Sequence, residues 1–146
     1  MEIIRKMILR KRYADNAICD LYMFSGLFAN SNQWINLSSQ VPEMFNIYYI
    51  ELPGHGKNKK DNAVKYESYL KMLANEIENI SSNRKIFFIG QSLGGLSILG
   101  LTKFIDTSNV EKVLLINVAT KQNVKNRDYY LTALSFLFFP CPGSSI

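Results

Sequence analysis

The sequence predicts an α/β fold: a parallel sheet in a three-layer core, with helices on both faces. Three observations predict it. Segments with strand character alternate along the chain with segments of helical periodicity. The strand segments are runs of consecutive apolar residues, the pattern of parallel strands covered on both sides, rather than the alternation of a sheet with one wet face. One such run passes directly into a glycine-rich turn that opens a helix, Gly90-Gln91-Ser92-Leu93-Gly94-Gly95, at the junction where open α/β sheets carry their sites.

Taken in order, Ile3-Ile4 and Met7-Ile8-Leu9 can supply one edge strand. Residues 18–24, rich in large apolar side chains, read as a strand feeding the turn Ser25-Gly26. Between 31 and 40, Trp34 and Leu37, with Val41 beyond, lie at helical spacing and predict a short amphipathic helix. Residues 45–52 form the next strand, stopped by Pro53-Gly54-His55-Gly56, and a polar loop runs to about Asn62. From 64 to 80, Tyr66, Tyr69, Leu70, Leu73, Ile77 and Ile80 recur at intervals of three and four, a helix with one buried face. Asn62 or Asp61 is placed to cap it. Residues 85–89 are a buried strand, a helix follows from Leu93 to about Ile105, and residues 113–116 are another strand of the same buried type.

The 146 residues suit a single domain of about 150. With 47% hydrophobic and 20% charged residues, the chain is neither disordered, collagen-like nor polytopic. Its net charge of +5 is spread over short groups such as Arg10-Lys11-Arg12 and Lys59-Lys60 rather than gathered on one element. That reads as solvated surface charge, so no nucleic-acid partner is expected. Cys19 and Cys141 stand in apolar contexts without metal-ligand spacing and read as free thiols in a reducing compartment. Residues 1–12 lack the apolar core of a secretory signal, and the longest apolar run, 129–141, falls short of the roughly 20 residues of a membrane span. A cytoplasmic location is expected.

Gly90-Gln91-Ser92-Leu93-Gly94 has the G-x-S-x-G form. Gly and Ser are common, so its placement between an apolar strand and a helix gives it weight. In such a turn the Ser takes a strained backbone conformation that projects its hydroxyl above the sheet. The opening helix aims N–H groups at any anion forming beside it. The alternative is a Ser that merely caps the helix in a glycine-rich turn.

Phe24-Ser25-Gly26-Leu27, Trp34, Glu51-Leu52-Pro53-Gly54-His55-Gly56 and Ile89-Gly90-Gln91-Ser92-Leu93-Gly94-Gly95 together resemble the α/β-hydrolase superfamily over about residues 18–119, the N-terminal half of a typical core. The resemblance implies Ser92 as nucleophile, with the backbone N–H groups of Leu27 and Leu93 as oxyanion donors. The implied activity is hydrolysis of a small-molecule carboxylic ester or thioester through an acyl-Ser92 intermediate, with no metal or organic cofactor. Many members carry His-Gly before the first donor, where this chain has Ser25-Gly26.

One element of the pattern is missing. An acyl-transferring Ser needs a base, nearly always His, and the single His, His55, lies in a turn that supplies no base in similar hydrolases. The acid is equally undefined, since the region after residues 113–116 offers Asn117 and then Asp128, which reads as a helix-start residue. The expectation is therefore one incomplete domain over 1–146, truncated after the strand near 113–116, with 127–146 as the start of a lid. Such a chain is inactive by itself and prone to self-association through an exposed sheet edge. A non-catalytic protein that binds an apolar ligand or a protein partner is the alternative.

Overall fold

The computed structural model describes residues 7–55 and 65–118. Five strands form one sheet in the order β1-β3-β2-β4-β5, with β1 at Ile8–Arg12, β2 at Cys19–Phe24, β3 at Phe45–Ile50, β4 at Lys85–Gln91 and β5 at Val110–Ile116. β2 pairs in parallel with β3 and with β4, and β4 pairs in parallel with β5. Only β1 runs antiparallel, at the β3 edge, where the N-terminal apolar segment was expected to add a strand. The strand that carries the glycine-rich turn thus lies between its neighbours, as a site at the carboxyl end of a parallel sheet requires.

Alternation along each strand divides the core into two faces. On one face Tyr22, Phe24, Tyr48, Ile50, Ile86 and Phe88 are buried under α2 (Tyr66–Ile80) and α3 (Leu93–Leu101). On the other, Leu21, Met23, Ile47 and Tyr49 gather around Trp34. That second layer is thin. Among the described residues it consists of a 3-10 turn, Ser31–Trp34, and the four-residue α1, Ile35–Ser38, where a longer helix was expected. Ser38 donates to Ile35 O at 2.9 Å, so the Tyr49 hydroxyl, 2.7 Å away, donates to Ser38 and fastens α1 to the sheet.

Two helix boundaries differ from expectation. α2 starts at Tyr66 with Lys65 in the capping position and no side-chain cap, while Asp61 and Asn62 lie outside the described residues. The helix starts where the apolar stripe itself starts, and Tyr69 N–H donates to Lys65 O as its first bond. α3 ends at Leu101 rather than near Ile105, because Lys103 and Phe104 donate to carbonyls three residues back and tighten the chain into turns. The expected lid at 127–146 also lies outside the described residues.

The amino ends of the central strands are tied by a buried charge. Asp20, fully enclosed, accepts from Arg84 Nε at 2.9 Å to each carboxylate oxygen, from Asn46 Nδ2 at 2.7 Å and from Ser81 Oγ. Having donated its proton to Asp20, Ser81 accepts from the Tyr22 hydroxyl at 2.7 Å. Burial works against the Arg84 charge, but its bonds to Asp20 prevail and hold the guanidinium pKa above its ordinary value. With all partners in place, the carboxylate is bearable in the core.

Candidate active site at the carboxyl ends of β2 and β4

Ser92 stands at the junction of β4 and α3 with φ 49° and ψ −117°. That region is favoured by glycine and strains any residue with a Cβ. The strain is held from both sides. Ser92 N–H donates to Ile116 O at 2.9 Å, and Ser92 O accepts from Leu96 N–H at 3.1 Å as the first bond of α3. Ser92 occupies the capping position of α3, yet its side chain makes no capping hydrogen bond. The geometry therefore gives no support to the reading of Ser92 as a cap, and its half-buried side chain is left for other work.

Glycines permit this turn because the backbones approach too closely for a side chain. A Cβ on Gly94 would lie 2.4 Å from Phe24 O and 2.6 Å from Ser25 O. The start of α3 is thereby pressed against the end of β2. A Cβ on Gly26 would lie 3.6 Å from Ser92 Cβ, which brings the loop after β2 alongside the Ser92 turn. Leu27, the next residue, is half-exposed, and Leu93 opens α3. Phe28 has φ 59° and is 91% exposed. A bulky residue in the left-handed region with its ring largely in solvent is strain with little packing to offset it.

After β3, the chain passes through Glu51 into a second turn beside the loop that follows β2. Leu52-Pro53-Gly54-His55 forms a turn in which His55 N–H donates to Leu52 O at 3.0 Å and Gly54 takes φ 77°. Pro in the second place and a positive-φ Gly in the third are what a type II turn requires. His55 braces this turn, with Nδ1 2.9 Å from Pro53 O, and its ring centroid is 6.4 Å from that of Phe28. Asn117, with φ 52°, follows β5 and carries an amide rather than an acid. Asp128 lies outside the described residues.

A profile of the alpha/beta hydrolase fold matches residues 21–131. The chain belongs to the α/β-hydrolase family. Over 98 residues it is 30% identical to a Haemophilus influenzae protein assigned as a 2-succinyl-6-hydroxy-2,4-cyclohexadiene-1-carboxylate synthase, covering 66% of this chain and 39% of that protein. It is 29% identical over 99 residues to a pimeloyl-[acyl-carrier protein] methyl ester esterase of Pseudoalteromonas atlantica, covering 68% of this chain and 37% of that one. Among solved structures, MenH from S. aureus aligns with a TM-score of 0.67 at 16% identity over 80% of this chain and 44% of that chain, a likeness of fold. A lipase-esterase related protein from Clostridium acetobutylicum aligns with a TM-score of 0.61 at 26% identity over 77% of this chain and 47% of its own. The matched region spans well under half the length of the curated relatives.

Within this α/β-hydrolase chain, sequence reasoning singled out Ser92, Leu93 and Leu27, and the structure puts the first two in one turn with the loop of the third beside it. It missed the strained Phe28 and gave Glu51 no role. The signal for Glu51 was available, since an acid follows a mostly apolar strand two residues before Pro53. Cys19 is a free, buried thiol whose pKa is pushed up by burial and by the neighbouring Asp20 charge, while Cys141 lies outside the described residues. Among the described residues, no helix is long and apolar enough to cross a membrane.

Proposed function

We propose that this chain carries the nucleophile and oxyanion donors of a serine hydrolase that cleaves a carboxylic ester or thioester through an acyl-Ser92 intermediate. The observation that carries the reading is the backbone of Ser92, strained at φ 49° at the head of α3 with a side chain that does not cap it. In this mechanism Ser92 Oγ bonds to the acyl carbon while the carbonyl electron pair moves onto oxygen. The N–H groups of Leu27 and Leu93 donate to that oxyanion. Its collapse breaks the bond to the alkoxide or thiolate, which takes up a proton, and water repeats the sequence to release the acid. The relative named as a methyl ester esterase supports an ester substrate.

Ser92 must lose its proton as it attacks, and an unassisted hydroxyl is a poor nucleophile. The one His of these 146 residues is engaged with its own turn. We therefore assign little turnover to these residues alone. The test supplies the base from outside: the chain is treated with an activated acetyl ester, with and without added imidazole, and acetylation is read at Ser92 by peptide mass spectrometry. Imidazole-dependent acetylation at Ser92, above that of other serines, is expected. Without imidazole, hydrolysis should change little in Ser92→Ala. No preference for Ser92 would overturn the nucleophile assignment and favour a non-catalytic protein that binds an apolar ligand or partner. A fall of about 10³-fold on Ser92→Ala without imidazole would instead reveal a base within these residues.

A further inference from the structure

The loop between β2 and the 3-10 turn Ser31–Trp34 has an unusual problem of support. Its central side chains anchor it little, since Leu27 is 52% exposed and Phe28, 91% exposed, has the His55 ring beside it at 6.4 Å between centroids. Its backbone is strained at Phe28, with φ 59°, and such strain persists only where the surroundings over-determine it. Inside the loop, Ala29 N–H donates to Gly26 O at 3.2 Å, and Asn30 Oδ1 accepts from Asn32 N–H at 2.9 Å. Both bonds are local and tie the loop only to itself. Among the described residues, the hydrogen bond that ties the end of this loop to another element is that of Ser31, the first residue of the 3-10 turn, whose Oγ donates to Glu51 Oε1 at 3.1 Å.

Glu51 is a firm post. It is buried at 4% exposure, its N–H donates to Met7 O at 3.0 Å, and its carbonyl accepts from the Tyr69 hydroxyl at 3.3 Å. Its main chain is thus held by the segment leading into β1 and by α2, and its carboxylate meets Ser31. A hydrogen bond to a charged acceptor is also stronger than one between neutral groups.

We propose that Ser31 and Glu51 are positioning residues that latch the loop carrying the Leu27 N–H, so that the acid of the β3 turn sets the geometry of the oxyanion donor beside Ser92. The inference rests on the reading of Leu27 as an oxyanion donor, and its own content is the latch. It makes the loop after β2 and the turn after β3 one mechanical unit.

Backbone amide hydrogen exchange of the 146-residue chain tests it, compared among the parent, Ser31→Ala, Ser31→Thr and Glu51→Gln. In Ser31→Ala the amides of Ala29 and Gln33, which the parent holds on Gly26 O and Asn30 O, should exchange about tenfold faster, the effect of losing one charge-assisted bond that restrains local opening. Amides of β2 and β4 should keep their rates. Ser31→Thr retains a hydroxyl and should restore the parent rates, and Glu51→Gln, with a neutral acceptor, should give a smaller acceleration. Unchanged Ala29 and Gln33 exchange in Ser31→Ala would overturn the latch, as would equal acceleration throughout the sheet. Imidazole-dependent acetylation of Ser92, read in parallel, should slow in Ser31→Ala and recover in Ser31→Thr. If the parent is never acetylated at Ser92 the nucleophile assignment fails, while the exchange rates still decide the latch.

Discussion

At Ser92 the backbone and the side chain have opposing interests. A residue at φ 49° and ψ −117° costs on the order of 1–3 kcal/mol relative to a relaxed conformation, and its hydroxyl does not cap the helix it precedes. Ser92→Gly removes the Cβ that makes the conformation costly, and the added freedom of the unfolded chain takes back only about 0.4–1 kcal/mol. The expected outcome is a variant more stable than the parent by about 1 kcal/mol, seen as a higher urea midpoint at unchanged m. Ser92→Ala keeps the Cβ and should leave the midpoint near that of the parent. Loss of stability in Ser92→Gly would mean that the hydroxyl supports the fold, contrary to the site geometry. Ser92 was legible from sequence because its neighbours are constrained locally. Asp20 was not, because its partner Arg84 lies 64 positions away and nothing near a lone acid in an apolar strand tells whether it is paired.

The β4–α3 element depends on contact between backbones. Gly94 touches the carbonyls of Phe24 and Ser25, whereas Gly100 faces only the end of the Leu70 side chain, 2.7 Å from where its Cβ would be. Main-chain carbonyls paired into a sheet cannot retreat, while a Leu methyl can rotate. Gly94→Ala is thus expected to destabilise by at least the 1–3 kcal/mol or so of an overpacked site. Gly100→Ala gains up to about 1 kcal/mol of helix propensity against the repacking of Leu70 and should fall within about 1 kcal/mol of the parent by urea denaturation. Comparable losses in the two variants would contradict this account. The same physics explains which elements were readable. β2, β3, β4 and β5 announce themselves as apolar runs and α2 as a stripe of period 3.6. The end of α3 does not, because Phe104 and Ile105 extend the apolar pattern into turns that the helix never reaches. The thin second layer was hidden too, since Trp34, Leu37 and Val41 fit either a helix or a 3-10 turn followed by a short one.

At the scale of the whole molecule, the sheet is asymmetric in its protection. At one edge, β1 is short and carries Lys11 and Arg12, charges of the kind that discourage further pairing. At the other edge, β5 has β4 as its single strand neighbour among the described residues. Its first half holds Glu111, bridged to Lys85 at 3.4 Å, and the exposed Lys112, but its second half is Val113-Leu114-Leu115-Ile116. Beside that half lies an apolar groove of about 270 Å³ on the thinly covered face, lined by Leu21, Val41, Phe45, Phe87, Ile89 and Leu114 among others. An edge unpaired among the described residues and an apolar face together favour strand pairing with a second copy, and a net charge of +5 over 146 residues is a modest deterrent. The 146-residue chain is therefore expected to self-associate, with a weight-average sedimentation coefficient that rises across a dilution series toward higher concentration. Leu114→Lys places a charge in the groove beside the edge and should shift the distribution to monomer. A parent chain that sediments as a monodisperse monomer throughout would show that the β5 edge is not available to a partner.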